Sequence, residues 1–384
     1  MAHSDITAGI VGVGFIGVAH AEALRRIGVT VGGVVGSSPE RTRAKAEQAG
    51  LPWVHHDLEA MLADPGIDVV HVASPNYVHA DQVMAALEAG KHVVCEKPLG
   101  LSTEQTERLV AAAQDSGRVN AVCLNVRFYP LCHQMRAMVA AGEIGAPRLI
   151  TGTYLQDWML QATDWNWRID PAAGGQLRAV ADIGSHWLDL AEFVSGRRVT
   201  EVFADLHTFL PVRLRPTGSV ETFAAAAADD EVVEESITSD DAASMLLRFD
   251  DGTRGALTVS QVSAGRKNSI NIEVDGEHSS LSWFSEDPDR MWIGHRGKAN
   301  EVLHRDAGML APPAADLAVY PGGHVEGYPD TFRGLFSAVY ADIAKGAPSS
   351  APAYPTFADG HDVVAVTEAV AASAQDQRWT PVKR

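Results

Sequence analysis

The sequence predicts an α/β protein in which a doubly wound parallel sheet is followed by an α+β domain with an open, largely antiparallel sheet. Two patterns indicate this order. Short apolar strands alternate with helical segments up to about residue 125, and strand-like alternation with turn residues dominates the chain after Pro130. The 384 residues are enough for two buried cores. We therefore predict a first domain at residues 1–127 and a second at residues 128–384.

The first domain is predicted from repeated strand–helix units. Residues 8–14 are a short apolar run closed by glycines, and apolar residues then recur at helical spacing over residues 18–27. The unit recurs as strand 29–35 with helix 39–49, strand 69–73 with helix 78–89, and strand 92–95 with a helix from Ser102. Ser102 followed by Gln105 is a capping-box pattern. Strands that alternate with helices of this length imply right-handed crossovers and hence a parallel sheet.

The second domain is predicted to be mostly antiparallel sheet, with helices near residues 133–141, 330–345 and 357–375. Gly252 and Gly276 supply hairpin turns. Residues 216–241 hold an alanine run at 224–228 and the acidic residues Asp229, Asp230, Glu231, Glu234 and Glu235, and we expect a solvated excursion there. The strands are predicted at residues 148–155, 199–210, 244–249, 255–263, 269–275, 279–284 and 379–382.

The charge balance and the cysteine content exclude several classes of protein. Lys+Arg 31 against Asp+Glu 49 give a net charge of −18, which would repel nucleic-acid phosphates and anionic lipid. Cys95, Cys123 and Cys132 are a sparse, odd set without CxxC spacing, which argues for a reducing compartment and against a disulfide framework. No run approaches ~20 apolar residues, and the N-terminus lacks a secretory pattern. We expect a cytoplasmic protein that binds neither nucleic acid nor membrane.

A glycine motif occupies the turn between the first strand and the first helix. Gly12, Gly14 and Gly17 form GxGxxG around Phe15 and Ile16. The first glycine permits the turn, the second lets the backbone approach a pyrophosphate, and the third lets the helix pack on the strand. The anion then meets the helix N-terminus. In this context the motif predicts a Rossmann domain that binds a dinucleotide, with a merely tight turn as the alternative.

The end of the second strand leaves the choice between NAD and NADP open. NAD-selective sites place a carboxylate there for the ribose hydroxyls, whereas residues 36–41 read GSSPER. Without that acid a 2′-phosphate is not repelled, and Ser37, Ser38 or Arg41 could hold one. Equally, Ser37 could simply bond the ribose of NAD. The predicted cofactor is therefore NAD or NADP.

Three side chains form a set suited to oxidising an alcohol. Lys97 ends a strand at the carboxyl edge of the sheet, where doubly wound folds bind ligands, and Asp182 and His186 would share one face of a helical turn. An ammonium, a carboxylate and an imidazole can take the proton of a carbinol while hydride leaves its carbon. Taken alone, the Asp182–His186 spacing is more typical of a capping aspartate and a packed histidine than of a catalytic pair.

These residues, in this order, resemble the Gfo/Idh/MocA family of dinucleotide-dependent oxidoreductases. The resemblance implies a Rossmann domain, a second α/β domain whose open sheet mediates homodimers or homotetramers, and chemistry on sugars, inositols or related polyols. It implies that Lys97, Asp182 and His186 are catalytic, with His186 as acid/base on the reacting hydroxyl. One departure is the longer spacing between Gly175 and Asp182. The motifs that carry the resemblance are GVGFIG, Ser74-Pro75-Asn76 with His79, Glu96-Lys97-Pro98, residues 125–130, and Gly174-Gly175. The cofactor contacts that it implies are the glycine loop, Ser74, Pro75, Asn76, His79, Glu96, Lys97 and Asn125.

Aromatic and basic residues after the motifs are candidates for binding the substrate. Trp165 and Trp167, beside Arg168, could stack on a pyranose and read its hydroxyls, or could only cover the core. The further substrate candidates are Arg127, Arg266, Lys267 and His324. The basic members could hold a carboxylated, phosphorylated or sulfonated sugar, although such residues are usually structural. No set with metal-ligand spacing is present in the sequence.

The function predicted from these residues is NAD(P)-dependent hydride transfer at a secondary carbinol of a sugar or cyclic polyol. A non-catalytic sensor on the same fold is an alternative. A second alternative is a redox glycosidase, in which oxidation of a ring hydroxyl acidifies the neighbouring C–H so that the aglycone is eliminated, water adds, and hydride returns. Tyr129 or His186 could serve as its base. The second domain also resembles a branch that includes NAD-dependent sulfoquinovosidases.

Overall fold

The computed structural model describes residues 3–218 and 231–384. Its contacts divide the chain into two units. The first comprises Met1–Asn125 with Tyr328–Val364, and the second comprises Val126–Gly327 with Ala365–Arg384. The sequence-based division at residue 127 differs from this in two respects: Val126 and Arg127 belong to the second unit, and residues 328–364 belong with the first.

The elements up to residue 122 follow the predicted alternation closely. The glycine-closed strand is shorter than expected and the first helix begins three residues earlier. In chain order the elements are β1 Thr7–Val11, α1 Phe15–Arg26, β2 Thr30–Val35, α2 Pro39–Gln48, α3 Leu58–Ala63, β3 Val69–Val72, α4 His79–Glu88, β4 His92–Cys95, α5 Thr103–Ser116 and β5 Asn120–Val122.

The remaining elements are mainly strands, with helices before, within and after them. They are α6 Pro130–Ala140, β6 Pro147–Leu155, α7 Pro171–Gly174, α8 Ser185–Ser195, β7 Val199–His207, β8 Val212–Pro216, β9 Val232–Ser236, β10 Ala242–Phe249, β11 Arg254–Ser260, β12 Ser269–Gly276, β13 Ser279–Phe284, β14 Arg290–His295, β15 Glu301–His304, α9 Pro312–Ala315, α10 Tyr328–Lys345, α11 Phe357–Asp376 and β16 Thr380–Pro381.

The first unit is a five-stranded parallel sheet in the order β2-β1-β3-β4-β5. The predicted cap is present, since Ser102 Oγ accepts the Gln105 N–H at 3.3 Å. The strand order reverses between β1 and β3, and the carboxyl ends of strands at such a switch point are where open α/β sheets bind ligands. The glycine loop and the loop that begins at Ala73 both lie at this point.

Helix α10 belongs to the first unit although it lies late in the sequence, because its aromatic side chains are buried there. It packs on α1, and Phe332 and Phe336 are almost fully buried, with rings 5.3 and 4.9 Å from the imidazole of His20. This packing joins residues far apart in sequence, so local periodicity predicts the helix but not its partner.

The second unit is built on a nine-stranded sheet in the order β15-β14-β13-β12-β6-β11-β10-β7-β16. It is largely antiparallel as predicted, and β6 and β11 form a parallel pair. Apolar residues on one face form a core with α6 and α8. Part of the acidic segment 216–241, predicted to be a solvated excursion, is a β-strand: β9 pairs with β8 in a separate two-stranded antiparallel sheet. The alanine run and Asp229–Asp230 lie outside the described residues.

We expect His133 of α6 to make the second unit less stable in mild acid. Burial, with help from Arg136 and Arg127, lowers the pKa of His133 to about 4, and its ring packs against Phe128 and Phe193. The unfolded chain binds a proton near the ordinary value of 6.5, so stability is lost as pH falls from about 6.5 to about 4. His133→Leu should abolish about 2 kcal/mol of the loss between about pH 7.5 and about pH 5.

Urea unfolding at the two pH values measures this difference. His56→Leu is the control, since His56 is exposed and its replacement should leave the pH dependence unchanged. Equal pH dependence in the wild type and His133→Leu would show that His133 is not the cause.

Candidate active site

The three motif glycines meet three different surroundings. Gly12 has φ +105°, and a Cβ there would lie 2.3 Å from the carbonyl oxygen of Ala73. A Cβ on Gly17 would lie 2.0 Å from the carbonyl oxygen of Gly12. A Cβ on Gly14 would meet no heavy atom within 4 Å. Gly12 and Gly17 are therefore needed by the fold itself, whereas the space at Gly14 is a cradle of the kind that a pyrophosphate occupies at a helix N-terminus.

The residues after β2 are exposed except for Ser38. Its hydroxyl accepts the backbone N–H of Arg41 at 3.3 Å and so caps α2. Ser37 and the Arg41 side chain face solvent. The Ser38 hydroxyl is thus used by the helix, and Ser37 and Arg41 stay the candidates for contacting the ribose. On α1, Phe15 is 55% exposed and stacks on Tyr328 at 6.5 Å between ring centroids.

The loop after β3 is tied to the turn after β4 by His79. One ring nitrogen of His79 lies 2.8 Å from the carbonyl oxygen of Ser74 and the other lies 2.8 Å from that of Pro98. His79 therefore lies between the two loops and links them, and the contact with a cofactor expected of His79 stays a prediction. Asn76, which begins a short 3₁₀ turn next to these groups, is 9% exposed.

Glu96 and Lys97 follow β4 at the same edge of the sheet. Glu96 Oε1 lies 3.0 Å from His20 Nε2, and Glu96 Oε2 accepts the backbone N–H of Lys97 at 3.2 Å. Lys97 is half-buried. Asn125, also expected near the cofactor, donates its side-chain amide to Thr331 Oγ1 at 2.7 Å.

One group in the described residues has the composition of a metal site that the sequence did not reveal. His20, Glu96 and Cys123 are buried, and their ligand atoms lie within 4.8 Å of one another. Their contacts are accounted for by hydrogen bonds, since Cys123 Sγ lies 3.7 Å from the His20 nitrogen that also contacts Glu96. Burial holds the pKa of the Cys123 thiol well above its ordinary value. We therefore assign these residues to the protein's own hydrogen-bond network.

In the second unit Asp182 is held at both carboxylate oxygens. It lies in a π-helical turn, Val180–Gly184, that leads directly into α8. Arg168 Nε donates to Asp182 Oδ1 at 3.1 Å, and Gln261 Nε2 donates to Oδ2 at 2.8 Å. His186 follows in the first turn of α8 and is 8% exposed. The capping role considered for Asp182 is not observed, because its oxygens accept side-chain donors.

Two arginines considered as substrate ligands are neutralised by carboxylates of the same unit. Arg127 forms a two-point ion pair with buried Asp189 and lies over the ring of Phe193. Arg168 pairs with Asp182 and lies 4.4 Å from the Trp167 ring centroid. An anion would have to compete with these carboxylates, so neither arginine is an open anion site.

The other substrate candidates differ in their surroundings. Trp165 packs with Trp158 against a small apolar cluster of Met159, Ile169 and Ile237, which supports its core-covering role. Lys267 pairs with Asp157 at 2.7 Å, whereas Arg266 is exposed. His324 is exposed in a loop whose backbone is held by the buried Arg305. Tyr129, the candidate base, is 4% exposed and packs on Trp283.

A buried charged cluster beneath this region was missed by the sequence analysis. The Asp241 carboxylate accepts hydrogen bonds from the guanidinium groups of Arg178 and Arg213, and all three side chains are fully buried. Asp240 accepts the backbone N–H groups of Arg178 and Val180, and burial raises its pKa to about 6. Arg178 lies in the segment between Gly175 and Asp182 whose length departs from the family pattern, and that departure was the one available signal.

Comparison with known families identifies the class of protein. A model of an oxidoreductase family with an NAD-binding Rossmann fold matches residues 6–124, and a model of the GFO/IDH/MocA C-terminal domain matches residues 132–282. The glycine loop and the switch-point sheet thus belong to a nicotinamide-dinucleotide-dependent oxidoreductase. The chain belongs to the Gfo/Idh/MocA family.

Individual relatives cover almost the whole chain. A levoglucosan dehydrogenase of Pseudarthrobacter phenanthrenivorans is 29% identical over 98% of both chains. The structure of levoglucosan dehydrogenase in complex with NADH and L-sorbose superposes with a TM-score of 0.88, at 27% identity over 99% of both chains. An inositol dehydrogenase homolog from Azotobacter vinelandii with NAD+ has a TM-score of 0.85, at 28% identity over 98% of this chain and 97% of that one.

Proposed function

We propose that this protein oxidises or reduces a secondary carbinol of a neutral cyclic sugar or polyol with NAD. The observation that carries the proposal is the double anchoring of Asp182 by Arg168 and Gln261, one turn before His186. A carboxylate held in this way keeps its charge and orientation, which a group that tunes an acid/base imidazole requires. The names of the relatives, a levoglucosan dehydrogenase and an inositol dehydrogenase homolog, support a cyclic polyol.

The roles follow from the chemistry of each side chain. Bound NAD supplies the hydride acceptor, and the open space at Gly14 fits its pyrophosphate. His186 accepts the hydroxyl proton during oxidation and returns it during reduction. The Lys97 ammonium stabilises the negative charge that develops on the carbinol oxygen. Asp182, four residues earlier in the chain, is proposed to orient the imidazole of His186. Asn76, Ser74 and the backbone of the glycine loop are proposed to contact the cofactor.

A neutral substrate is favoured because three of the four basic substrate candidates, Arg127, Arg168 and Lys267, are already paired with carboxylates. Arg127 and Arg168 are held by Asp189 and Asp182. Trp167 keeps its place as a stacking surface for a sugar ring, beside the guanidinium of Arg168. Arg266, which is exposed, is the residue to test for any anionic sugar.

The direct test is a panel of sugars and cyclic polyols, including levoglucosan and myo-inositol, with NAD or NADP. We expect stoichiometric reduced nicotinamide with at least one neutral member. Aglycone release from aryl glycosides without net NADH would instead show a redox glycosidase, with Tyr129 or His186 as base. Tight cofactor binding with no hydride transfer across the panel would show a sensor.

Gly14→Ala should weaken cofactor binding without weakening the fold. The added methyl group meets no protein atom, so the melting temperature without cofactor should stay within about 2 °C of the wild type. It fills the space next to the helix N-terminus, and we expect at least a ~10-fold rise in the dissociation constant for NADH. Fluorescence titration measures it. Gly17→Ala is the contrasting variant and should lower the melting temperature, because its methyl group would clash with the carbonyl oxygen of Gly12. Unchanged NADH affinity in Gly14→Ala would show that the pyrophosphate binds elsewhere.

We also propose that the nine-stranded sheet forms homodimers or homotetramers through the face opposite its core. Leu246, Trp292 and Val302 are 50%, 37% and 52% exposed there, and Trp292 pairs with Val302 across β14 and β15. Trp292 and Val302 form one contiguous apolar pair, and contiguous exposed apolar surface is the kind that marks an interaction site. Light scattering on the purified protein gives the oligomer size.

The compartment is proposed from the cysteines. Cys95, Cys123 and Cys132 are buried free thiols, which fits a reducing compartment such as the cytoplasm. Separately, no helix in residues 3–218 and 231–384 is long and apolar enough to cross a membrane.

A further inference from the structure

A chain of buried polar side chains in the first unit has no part in the chemistry proposed above. Tyr340 Oη lies 2.9 Å from His71 Nε2, His71 Nδ1 lies 3.0 Å from His20 Nδ1, and His20 Nε2 lies 3.0 Å from Glu96 Oε1. The first three residues are fully buried and Glu96 is 8% exposed. Polar groups placed this deep are costly unless every one of them is paired.

The direction of these hydrogen bonds is decided by the carboxylate at one end. Burial, with the neighbouring His20, holds the pKa of His71 well below its ordinary value, so His71 is neutral. An ionised Glu96 can only accept, so a neutral His20 donates from Nε2 and accepts at Nδ1. His71 then donates from Nδ1 and accepts at Nε2. The Tyr340 hydroxyl donates its proton to His71 Nε2. In this arrangement every ring nitrogen of the two neutral imidazoles has a hydrogen-bond partner.

The opposite direction is disfavoured by the hydroxyl at the other end. If Glu96 were protonated and donated to His20, both imidazoles would reverse and His71 Nε2–H would point at Tyr340 Oη. The Tyr340 proton would then need a second acceptor, and within the described part of the chain its hydroxyl contacts His71 alone. The rings of Phe332 and Phe336 pack around the two histidines. Protonating Glu96 therefore costs a hydrogen bond at the far end of the chain.

The orientation of Glu96 affects the position of Lys97, the lysine of the proposed site. Its second oxygen accepts the backbone N–H of Lys97, so the orientation of the carboxylate sets the backbone from which the ammonium projects. The titratable groups that face the chain from neighbouring elements are Cys95, Cys123, His79, Lys97, Asp68 and His3.

We propose that Tyr340, His71 and His20 form a positioning relay that keeps Glu96 ionised and oriented and thereby holds Lys97 in place. The relay rests on the proposed function only for its effect on Lys97. Its direction is a property of the folded chain and can be measured without any substrate.

The first measurement is the tautomeric state of the two histidines, by nitrogen-15 NMR of histidine-labelled protein with single His variants for assignment. We expect His20 protonated at Nε2 and His71 at Nδ1. A His71 proton on Nε2 would overturn the relay. One equivalent of bound zinc, measured by elemental analysis, would also overturn it, because His20 Nε2 would then hold the metal instead of donating.

The second measurement is the pH profile of hydride transfer in Tyr340→Phe. Losing the terminal donor removes the preference against protonated Glu96, so the acid midpoint should rise by up to about one pH unit. Activity at the optimum should stay within about twofold. In a Glu96→Gln background the same change should produce no further shift, because the substituted amide cannot ionise.

Tyr354→Phe is the matched control. Tyr354 is also a buried tyrosine of the first unit, and its hydroxyl donates to Asp342 at 3.0 Å, away from the relay. It should lose stability to a similar degree without moving the acid midpoint. Equal midpoints in both Tyr→Phe variants and the wild type would overturn the relay. If no sugar is turned over at all, the proposed function fails while the NMR result still decides the relay.

Discussion

Lys97→Met is expected to lower kcat/KM for the preferred sugar by about 10²- to 10⁴-fold with little effect on stability. Methionine keeps most of the length of the side chain and removes its charge, so the carbinol oxygen would lose the cation proposed to stabilise its developing charge. The loss should fall mainly on kcat, because the ammonium contributes most in the transition state. Steady-state rates of NADH formation across the active sugars measure the effect.

His186→Ala should cause a loss of similar size and should also change the pH profile, because the imidazole is the group proposed to carry the proton. The double variant should be little worse than either single variant, since residues that act in one step are not additive. Lys345→Met is the control: Lys345 is exposed, pairs with Asp342, and lies in the same unit as Lys97. Turnover near the wild-type rate in both Lys97→Met and His186→Ala would remove these residues from the mechanism.

Much of the first unit could be predicted because its signals are local. A strand, a glycine turn and a helix are adjacent in sequence, and Gly17 is required by a contact within the same turn, with the carbonyl oxygen of Gly12. The return of residues 328–364 to this unit could not be predicted, because Phe332 and Phe336 find their partner in His20, some 300 residues away. Local periodicity carries no information about such a partner.

The candidate site shows the same limit at the level of single side chains. The motifs locate Lys97, Asp182 and His186, but not the partners that determine their charge and orientation. Arg127 and Arg168 are cationic in any sequence, and only the fold places Asp189 and Asp182 against them. The sequence left open whether the sugar is anionic, and those contacts favour a neutral one. His20 and His71 likewise carry no motif of their own, and their significance is in the hydrogen bond between them.

The second large effect is expected from Asp241→Asn, which should destabilise the second unit by about 3–5 kcal/mol. Asp241 Oδ1 accepts both Arg178 and Arg213, and Oδ2 accepts the backbone N–H of Leu210 at 2.8 Å. Removing the negative charge leaves two buried guanidinium groups without their counter-ion. Arg178 is especially sensitive to this loss, since its Nε and Nη1 are buried without a hydrogen-bond partner among the described residues.

The same substitution should loosen the segment that carries Trp167 and Arg168. Arg213 also donates to the carbonyl oxygens of Met159, Gln161 and Asp164, and so ties β8 to that segment. We therefore expect faster hydrogen exchange over residues 158–170 in Asp241→Asn, together with a higher KM for the sugar. The affinity for NADH, measured by fluorescence titration, should change by less than about twofold, because the glycine loop belongs to the first unit.

The matched control for Asp241→Asn lies in the two-stranded sheet of β8 and β9. Glu235 pairs with Arg215 at 2.5 Å, but both side chains are more than 40% exposed. Solvent screens such a pair, so Glu235→Gln should cost less than about 1 kcal/mol. Urea unfolding of the two variants gives the comparison directly. If Asp241→Asn were no more destabilising than Glu235→Gln, the buried cluster would not be what holds the Trp167 segment, and the fixed position of Arg168 beside Asp182 would need another cause.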